Sequence, residues 1–325
     1  MAFIPIEIEM SNSVDIPIPE ECKPLIEMCK QTVSRERYDI SVYCKEFRSE
    51  REIDLCETKS EKKYFLKSNQ GKQSPIRDRF ILKDLLAFLI SSRLGFDVVP
   101  TTLVVGSHDP APAWDLNKPE IKKKIDSLLG IEIYNATAIQ LAIQPLDRFQ
   151  PHPLNSDPHL RDIKLKESLV KWMRESSSNT NLTNALLFNM VTGRLDGEPR
   201  NSVIRAGNDK EKARLYEVDN EMIGYRTTDS WLMWLLQDVE LPRSPLEACS
   251  EIKFEILDSV FQDMKGFGTI TDWNTETYMD DKDYYEENIK SNFKDLQSAL
   301  KIVLENQKGA VPTMELLKAF NKIRV

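Results

Sequence analysis

Glycine is scarce in this chain of 325 residues: 11 in all, about half the usual share of roughly 7%. A site that needs a run of glycines must therefore be built another way, and the one GxG, Gly266-Phe-Gly268, lies far down the chain. Histidine is scarcer still, with three copies, two of them (His152 and His159) beside prolines, so a zinc centre is not expected. The five cysteines, Cys22, Cys29, Cys44, Cys56 and Cys249, are odd in number and form no CxxC pair. They read as thiols of a reducing compartment rather than a disulfide framework. No run approaches the ~18 apolar residues of a membrane span. Basic charge is not in excess either, since Lys plus Arg number 44 against 52 Asp plus Glu, a net −8. A chain with pI near 5.2 lacks the broad positive field of a nucleic-acid binder.

What is present describes a globular protein: 41% hydrophobic and 30% charged residues, enough chain for one bilobed domain or two ordinary ones. The opening MAFIPIEIEM has no basic region followed by an apolar stretch, which leads to the expectation of a cytoplasmic protein or one exported by a non-Sec route.

Residues 1–37 are Pro-rich and predict an arm with a short helix at about 20–32. Between residues 38 and 144 the pattern is strand-rich. Ile40–Cys44 and Lys63–Lys67 alternate in the manner of an antiparallel sheet, Val98–Val105 reads as a turn followed by a strand, and Ala136–Ile143 reads as another strand, halted by Gln144-Pro145. One helix interrupts them. Leu82–Leu94 is apolar over most of its surface and stops at Gly95, a residue suited to a helix C-cap. Residues 107–130 form a polar insert with the run Lys122-Lys-Lys124. Beyond 145 the periodicity turns helical, over 162–175, 181–193, 246–264, 282–305 and 312–323. One hairpin of two short strands (202–204 and 214–218) breaks it. The stripe Trp231–Leu236 reads as core. Strands and helices are segregated, so an α+β bilobed architecture is predicted rather than a doubly wound sheet.

The chemistry-bearing stretch is Arg194-Leu-Asp196-Gly-Glu-Pro-Arg-Asn201, with Tyr216-Glu-Val-Asp219 after it. An Asp, an Asn five residues on, and an Asp ending the next strand place hard oxygen donors around one site. Such donors suit Mg²⁺, which takes one or two carboxylates and fills its other positions with phosphate and water. Phosphoryl transfer needs this set together with a lysine on the phosphates. Plainer readings exist for each residue. Lys67 can be a surface lysine, Asp84 an N-terminal helix cap, and Asp196 and Asn201 turn formers around Gly197 and Pro199.

The succession from Tyr38 to Asp219 resembles the protein-kinase superfold, and most of all its atypical branches, the HipA toxin kinases and the phosphatidylinositol 3-/4-kinase-like enzymes. Asp196 to Asn201 is similar to their Asp-x4-Asn loop, and Val218-Asp219 to their hydrophobic-Asp. Tyr64-Phe-Leu-Lys67 resembles the lysine strand. Lys83 to Pro100 resembles the N-lobe helix and its exit, with Asp84 where the family carries Glu. Ile139 to Pro145 resembles the strand entering the hinge.

The resemblance implies an ATP- and Mg²⁺-dependent kinase (Mn²⁺ an alternative metal). Lys67, Asp84 and Asp196 would be catalytic, Asn201 and Asp219 metal ligands, and Lys67, Ala142, Gln144 and Leu146 would hold the nucleotide. The implied acceptor is a Ser/Thr protein. A phosphoinositide or small molecule, or a nucleotide-binding scaffold without transfer, are the alternatives. Lys122–Lys124 offers a seat for a polyanionic activator, an inositol phosphate or acidic lipid. Low Gly with abundant Ser, Asn, Lys and Ile resembles secreted effectors of intracellular bacterial pathogens, which implies action in a host cytosol.

Overall fold

The computed structural model describes residues 19–37, 52–68, 75–107, 134–143, 179–195, 201–205, 214–218, 220, 223–226, 230–265 and 285–324. Five strands make one antiparallel sheet in the order β1-β2-β3-β5-β4. They are β1 (Thr32–Arg37), β2 (Glu52–Thr58), β3 (Lys63–Ser68), β4 (Thr102–Ser107) and β5 (Tyr134–Leu141). Helix α1 (Lys23–Cys29) precedes β1, and α2 (Pro75–Arg93) lies between β3 and β4. Strand β1 draws Thr32–Arg37, expected in the arm, into the sheet through its pairing with β2. The run Ile40–Cys44 lies outside the described residues.

Along β2 the residues Asp54, Cys56 and Thr58 are buried while their neighbours are half-buried, the period-2 signature of a sheet with one covered face. Strand β3 sits in the middle of the sheet, where its polar groups are paired on both sides. Lys67 stands opposite Ile53 of β2 and Ala138 of β5. Helix α2 packs against β4 and β5. It begins at Pro75, seven residues earlier than the apolar run that signalled it. From Leu82 to Ser91 every position is buried. A helix covered on all sides cannot leave a charge without a partner at low cost, so Lys83 and Asp84 in this stretch demand an account. The helix ends as expected: Gly95 takes φ +73, and Phe96 N–H returns to Ser91 O at 2.8 Å.

The second part is helical. It comprises α3 (Asn179–Thr192), α4 (Trp231–Leu236), α5 (Arg243–Glu251), α6 (Phe254–Lys265), α7 (Tyr285–Asn306) and α8 (Thr313–Arg324). Two small antiparallel pairs interrupt it, β6 (Ser202–Arg205) with β7 (Arg214–Glu217), and β8 (Glu240–Leu241) with β9 (Val311–Pro312). The segment expected as one helix over 246–264 is two, parted at Ile252-Lys253. The segment expected at 162–175 lies outside the described residues. Helix α7 buries Ile289, Phe293, Leu296, Leu300 and Val303, a stripe at helical spacing, against α3, α5 and α8.

The Trp231–Leu236 stripe is only partly core. Leu232, Leu235 and Leu236 are buried, whereas Trp234 is 55% exposed because it falls on the opposite side of the short helix. All four described cysteines are buried thiols that form no disulfide. Burial pushes the Cys22 and Cys249 thiols up to about 12 and that of Cys29 up to about 11. Among the described residues no helix is long and apolar enough to cross a membrane.

The two parts share one continuous core. Helix α2 is the joint, since it also packs on α6. At its end Arg93 donates to Glu21 at 2.8 Å and to Asp263 of α6 at 2.5 Å. The architecture is α+β, sheet first and helices second, as the segregated pattern predicts.

Candidate active site

The site grows from the two charges of the sheet and its helix. Lys67, on the central strand, reaches Asp84 with Nζ–Oδ2 at 3.3 Å. Asp84 is fully buried and its other oxygen accepts the backbone N–H of Asn220 at 2.9 Å. It is the tenth residue of α2, far inside the helix, which removes the capping alternative. Its carboxylate therefore joins the lysine strand to the chain one residue beyond Asp219. Aspartate is a methylene shorter than glutamate, and a direct pair nonetheless forms.

A second buried ion pair organises the chain on the other side of that junction. Arg194, 0% exposed, donates from Nη1 to Glu217 Oε2 at 2.7 Å and from Nη2 to Val218 O at 2.7 Å. Glu217 is also fully buried and accepts from Asn189 Nδ2 at 3.0 Å and Ser202 Oγ at 2.8 Å. Trp231 Nε1 donates to Ser202 Oγ in turn, at 3.3 Å. Main-chain bonds finish the frame. Val218 N–H meets Asn201 O at 2.8 Å, and Glu217 N–H meets Val98 O at 2.7 Å. The guanidinium donates to a carboxylate and a carbonyl, and the carboxylate accepts two further bonds, so both buried ions are paired and hydrogen-bonded. The pair locks the segment two residues before Asp196 to the segment two residues before Asp219.

Of the residues predicted from sequence, Lys67 and Asp84 meet directly. Asn201 is buried at the start of β6 and reaches the second acid's segment through its main chain. Ala142 follows β5 and donates its N–H to Lys63 O at 3.0 Å, which fastens the strand that leads toward residue 144. Asp196, Asp219, Gln144, Leu146 and Lys122–Lys124 lie outside the described residues.

Four contributors escaped the sequence reading: Lys83, Arg194, Glu217 and Asn220. A signal was present for three of them. Lys83 stands in an apolar helix, Arg194 follows one, and Glu217 shares the buried face of β7 with Leu215. Asn220 contributes a backbone N–H, which no side-chain pattern reveals.

No protein-family model matches the chain, and no curated protein does either. Among solved structures it is similar to the Golgi casein kinase with Mn/ADP bound, at 10% identity and TM-score 0.42 over 86% of this chain and 73% of that one. A second structure of the Golgi casein kinase aligns over 83% of this chain and 69% of that one, at 9% identity and TM-score 0.40. Neither value supports transferring a residue's role to this chain.

Proposed function

We propose that the chain is an atypical kinase that moves the γ-phosphoryl group of ATP to a hydroxyl, with a Ser/Thr protein as the acceptor. The observation that carries the reading is the Asp84 carboxylate. It holds the ammonium of the central-strand lysine with one oxygen and the amide beyond Asp219 with the other. A lysine fixed in this way presents one charge to phosphate oxygens in a partly dry cleft, where it acts far more strongly than in water. The lobe boundary is proposed near residue 144, with 38–144 on the sheet side and 145–325 on the helical side.

In this reading Lys67 binds the α/β-phosphates and Asp84 orients Lys67. Asp196 aligns the acceptor hydroxyl and takes its proton as the new P–O bond forms and the bond from the γ-phosphorus to the bridging oxygen breaks, releasing ADP. Ala142, Gln144 and Leu146 hold adenine through their backbone. The donors suit a hard divalent ion: Asn201 offers an amide oxygen, and its main chain is bonded to the residue preceding Asp219. Asn201 and Asp219 would hold Mg²⁺, which neutralises phosphate charge when bound. The frame of Arg194 and Glu217 keeps these segments apart at a fixed distance.

The test is transfer of radiolabelled phosphate from Mg²⁺–ATP to generic protein acceptors and, in parallel, to inositol lipids. Transfer to protein that Asp219→Ala abolishes, with an unchanged melting temperature, supports the proposal. Transfer to lipid alone makes the chain a phosphoinositide kinase. ATP binding with no transfer to either acceptor makes it a nucleotide-binding scaffold. Lys122–Lys124 is proposed as the seat of a polyanionic activator, and activity indifferent to inositol phosphates and acidic lipids rejects that part.

A further inference from the structure

Lys83 is the second charge buried inside α2, with a residue exposure of 2%. Consecutive helix residues point about 100° apart, so Lys83 and Asp84 reach different neighbours. The Lys83 ammonium lies 3.9 Å from the ring centre of Tyr285 and 5.6 Å from that of Tyr225. The rings meet edge to face, centroids 6.1 Å apart at 87°. An ammonium against aromatic faces is attracted by the ring quadrupole, and more strongly where water is excluded.

The base of this aromatic box is rigid. Gly224 N–H bonds Thr192 O at 2.7 Å and Tyr225 N–H bonds Gly193 O at 3.2 Å. From α7, Asn288 Nδ2 donates to Gly224 O at 3.0 Å and Asn292 Nδ2 to Tyr225 O at 2.8 Å. This chain, with so few glycines, places two at the crossing. Gly193 (φ +57) would set a Cβ 1.8 Å from Tyr225 O, and Gly224 (φ +96) would set one 2.0 Å from Tyr285 Cδ1. Both need positive φ and the close approach that only glycine permits.

The dipeptide Lys83-Asp84 thus grips the stretch 220–225 at both ends, Asp84 at the Asn220 amide and Lys83 at the Tyr225 ring. We infer that Lys83 is a positioning residue. Its seat between Tyr285 and Tyr225 fixes the rotation of α2, so that Asp84 holds Lys67 and the chain beyond Asp219 together. The consequence for catalysis rests on the kinase reading, and the structural coupling does not.

The experiment is amide hydrogen exchange on the full chain, read at Asn220 and at Glu217, for wild type, Lys83→Met, Tyr285→Phe and Tyr285→Leu. The expected result for Lys83→Met is exchange at Asn220 at least tenfold faster, with Glu217, bonded to Val98 O, within about twofold of wild type. Tyr285→Phe keeps the aromatic face and should match wild type. Tyr285→Leu should match Lys83→Met, and the double variant should be no worse than either. In the transfer assay Lys83→Met should raise the KM for ATP and lower kcat, each several-fold, at a temperature where the variant is folded. Unchanged exchange at Asn220, with or without a lower melting temperature, would overturn the inference, as would equal behaviour of Tyr285→Phe and Tyr285→Leu. If Lys83→Met fails to fold, the two tyrosine variants decide. Wild type without transfer to any acceptor rejects the kinase reading, while the exchange at Asn220 still decides the role of Lys83.

Discussion

Two buried ion pairs stand on either side of the junction between sheet and helices, and they are built differently. Lys67–Asp84 is a single contact of 3.3 Å, its lysine side chain 10% exposed. Arg194–Glu217 is a 2.7 Å contact with both side chains at 0%, with Asn189 and Ser202 also donating to Glu217 and Arg194 Nη2 donating to Val218 O. An ammonium is a compact charge with three rotatable donors, whereas a guanidinium is a fixed planar fork. The first pair can keep its partner and still turn donors toward a phosphate. The second has its principal donors committed to the fold. In the proposed reading the first pair serves chemistry, while the second serves the fold.

Breaking the architectural pair should have the larger effect on stability. Glu217→Ala leaves the Arg194 guanidinium buried without its carboxylate, and about 3–5 kcal/mol of stability should be lost. Denaturant unfolding of the variant beside wild type measures it. A loss under 1 kcal/mol would mean that water or another group takes the place of Glu217.

Lys67→Met should invert that profile. Asp84 keeps the Asn220 amide, so about 1–3 kcal/mol is expected in stability. Phosphate transfer should fall by orders of magnitude. Asp84→Ala should cost less transfer than Lys67→Met, and the double variant should equal Lys67→Met, as for residues that act as a unit. Additive losses in the transfer assay would separate the two roles.

The smallest effect belongs to the half-buried end of α2. The hydrogen bond from Arg93 holds the Glu21 carboxyl below its ordinary 4.5, against the opposing effect of its partial burial. A depressed folded-state pKa contributes stability that is present above the unfolded value and fades as pH falls through the folded one. Solvent screening keeps the contribution under about 1 kcal/mol. Glu21→Gln should therefore lower the melting temperature slightly at pH 7, where the contribution is present, and converge with wild type as pH falls well below about 4.5, where wild-type Glu21 is itself protonated. The buried thiols give a control on compactness. With thiols raised to about 11–12, Cys22, Cys29 and Cys249 should resist alkylation at pH 8 in native protein and react at once in denaturant.

Much of this molecule was legible because burial leaves a local trace. A period-2 run marked β3, a run halted by Gln144-Pro145 marked β5, an apolar helix stopped by Gly95 marked α2, and a charged residue closing an apolar strand singled out Lys67. Asp84 was found through the resemblance to atypical kinases, with a helix start as its plainer reading. Helix α2 begins at Pro75, and that placed Asp84 in its interior. The exposed side of Trp234 was misread because a six-residue helix is too short for its stripe to tell core from surface.

The sequence alone determined that strands precede helices and where β3, β5 and the core of α2 lie, since those follow from spacing along the chain. In contrast, β1 and the charged β2 are strands only through their pairing in the sheet. Only the tertiary structure decided which charge meets which. Lys67 and Asp84 are 17 residues apart, Arg194 and Glu217 are 23, and the Asp84 carboxylate accepts an amide 136 residues away. Periodicity states that a side chain is buried and says nothing of its partner. Partners are fixed when rigid elements dock, because a buried charge is tolerable only where the docked neighbour supplies its complement.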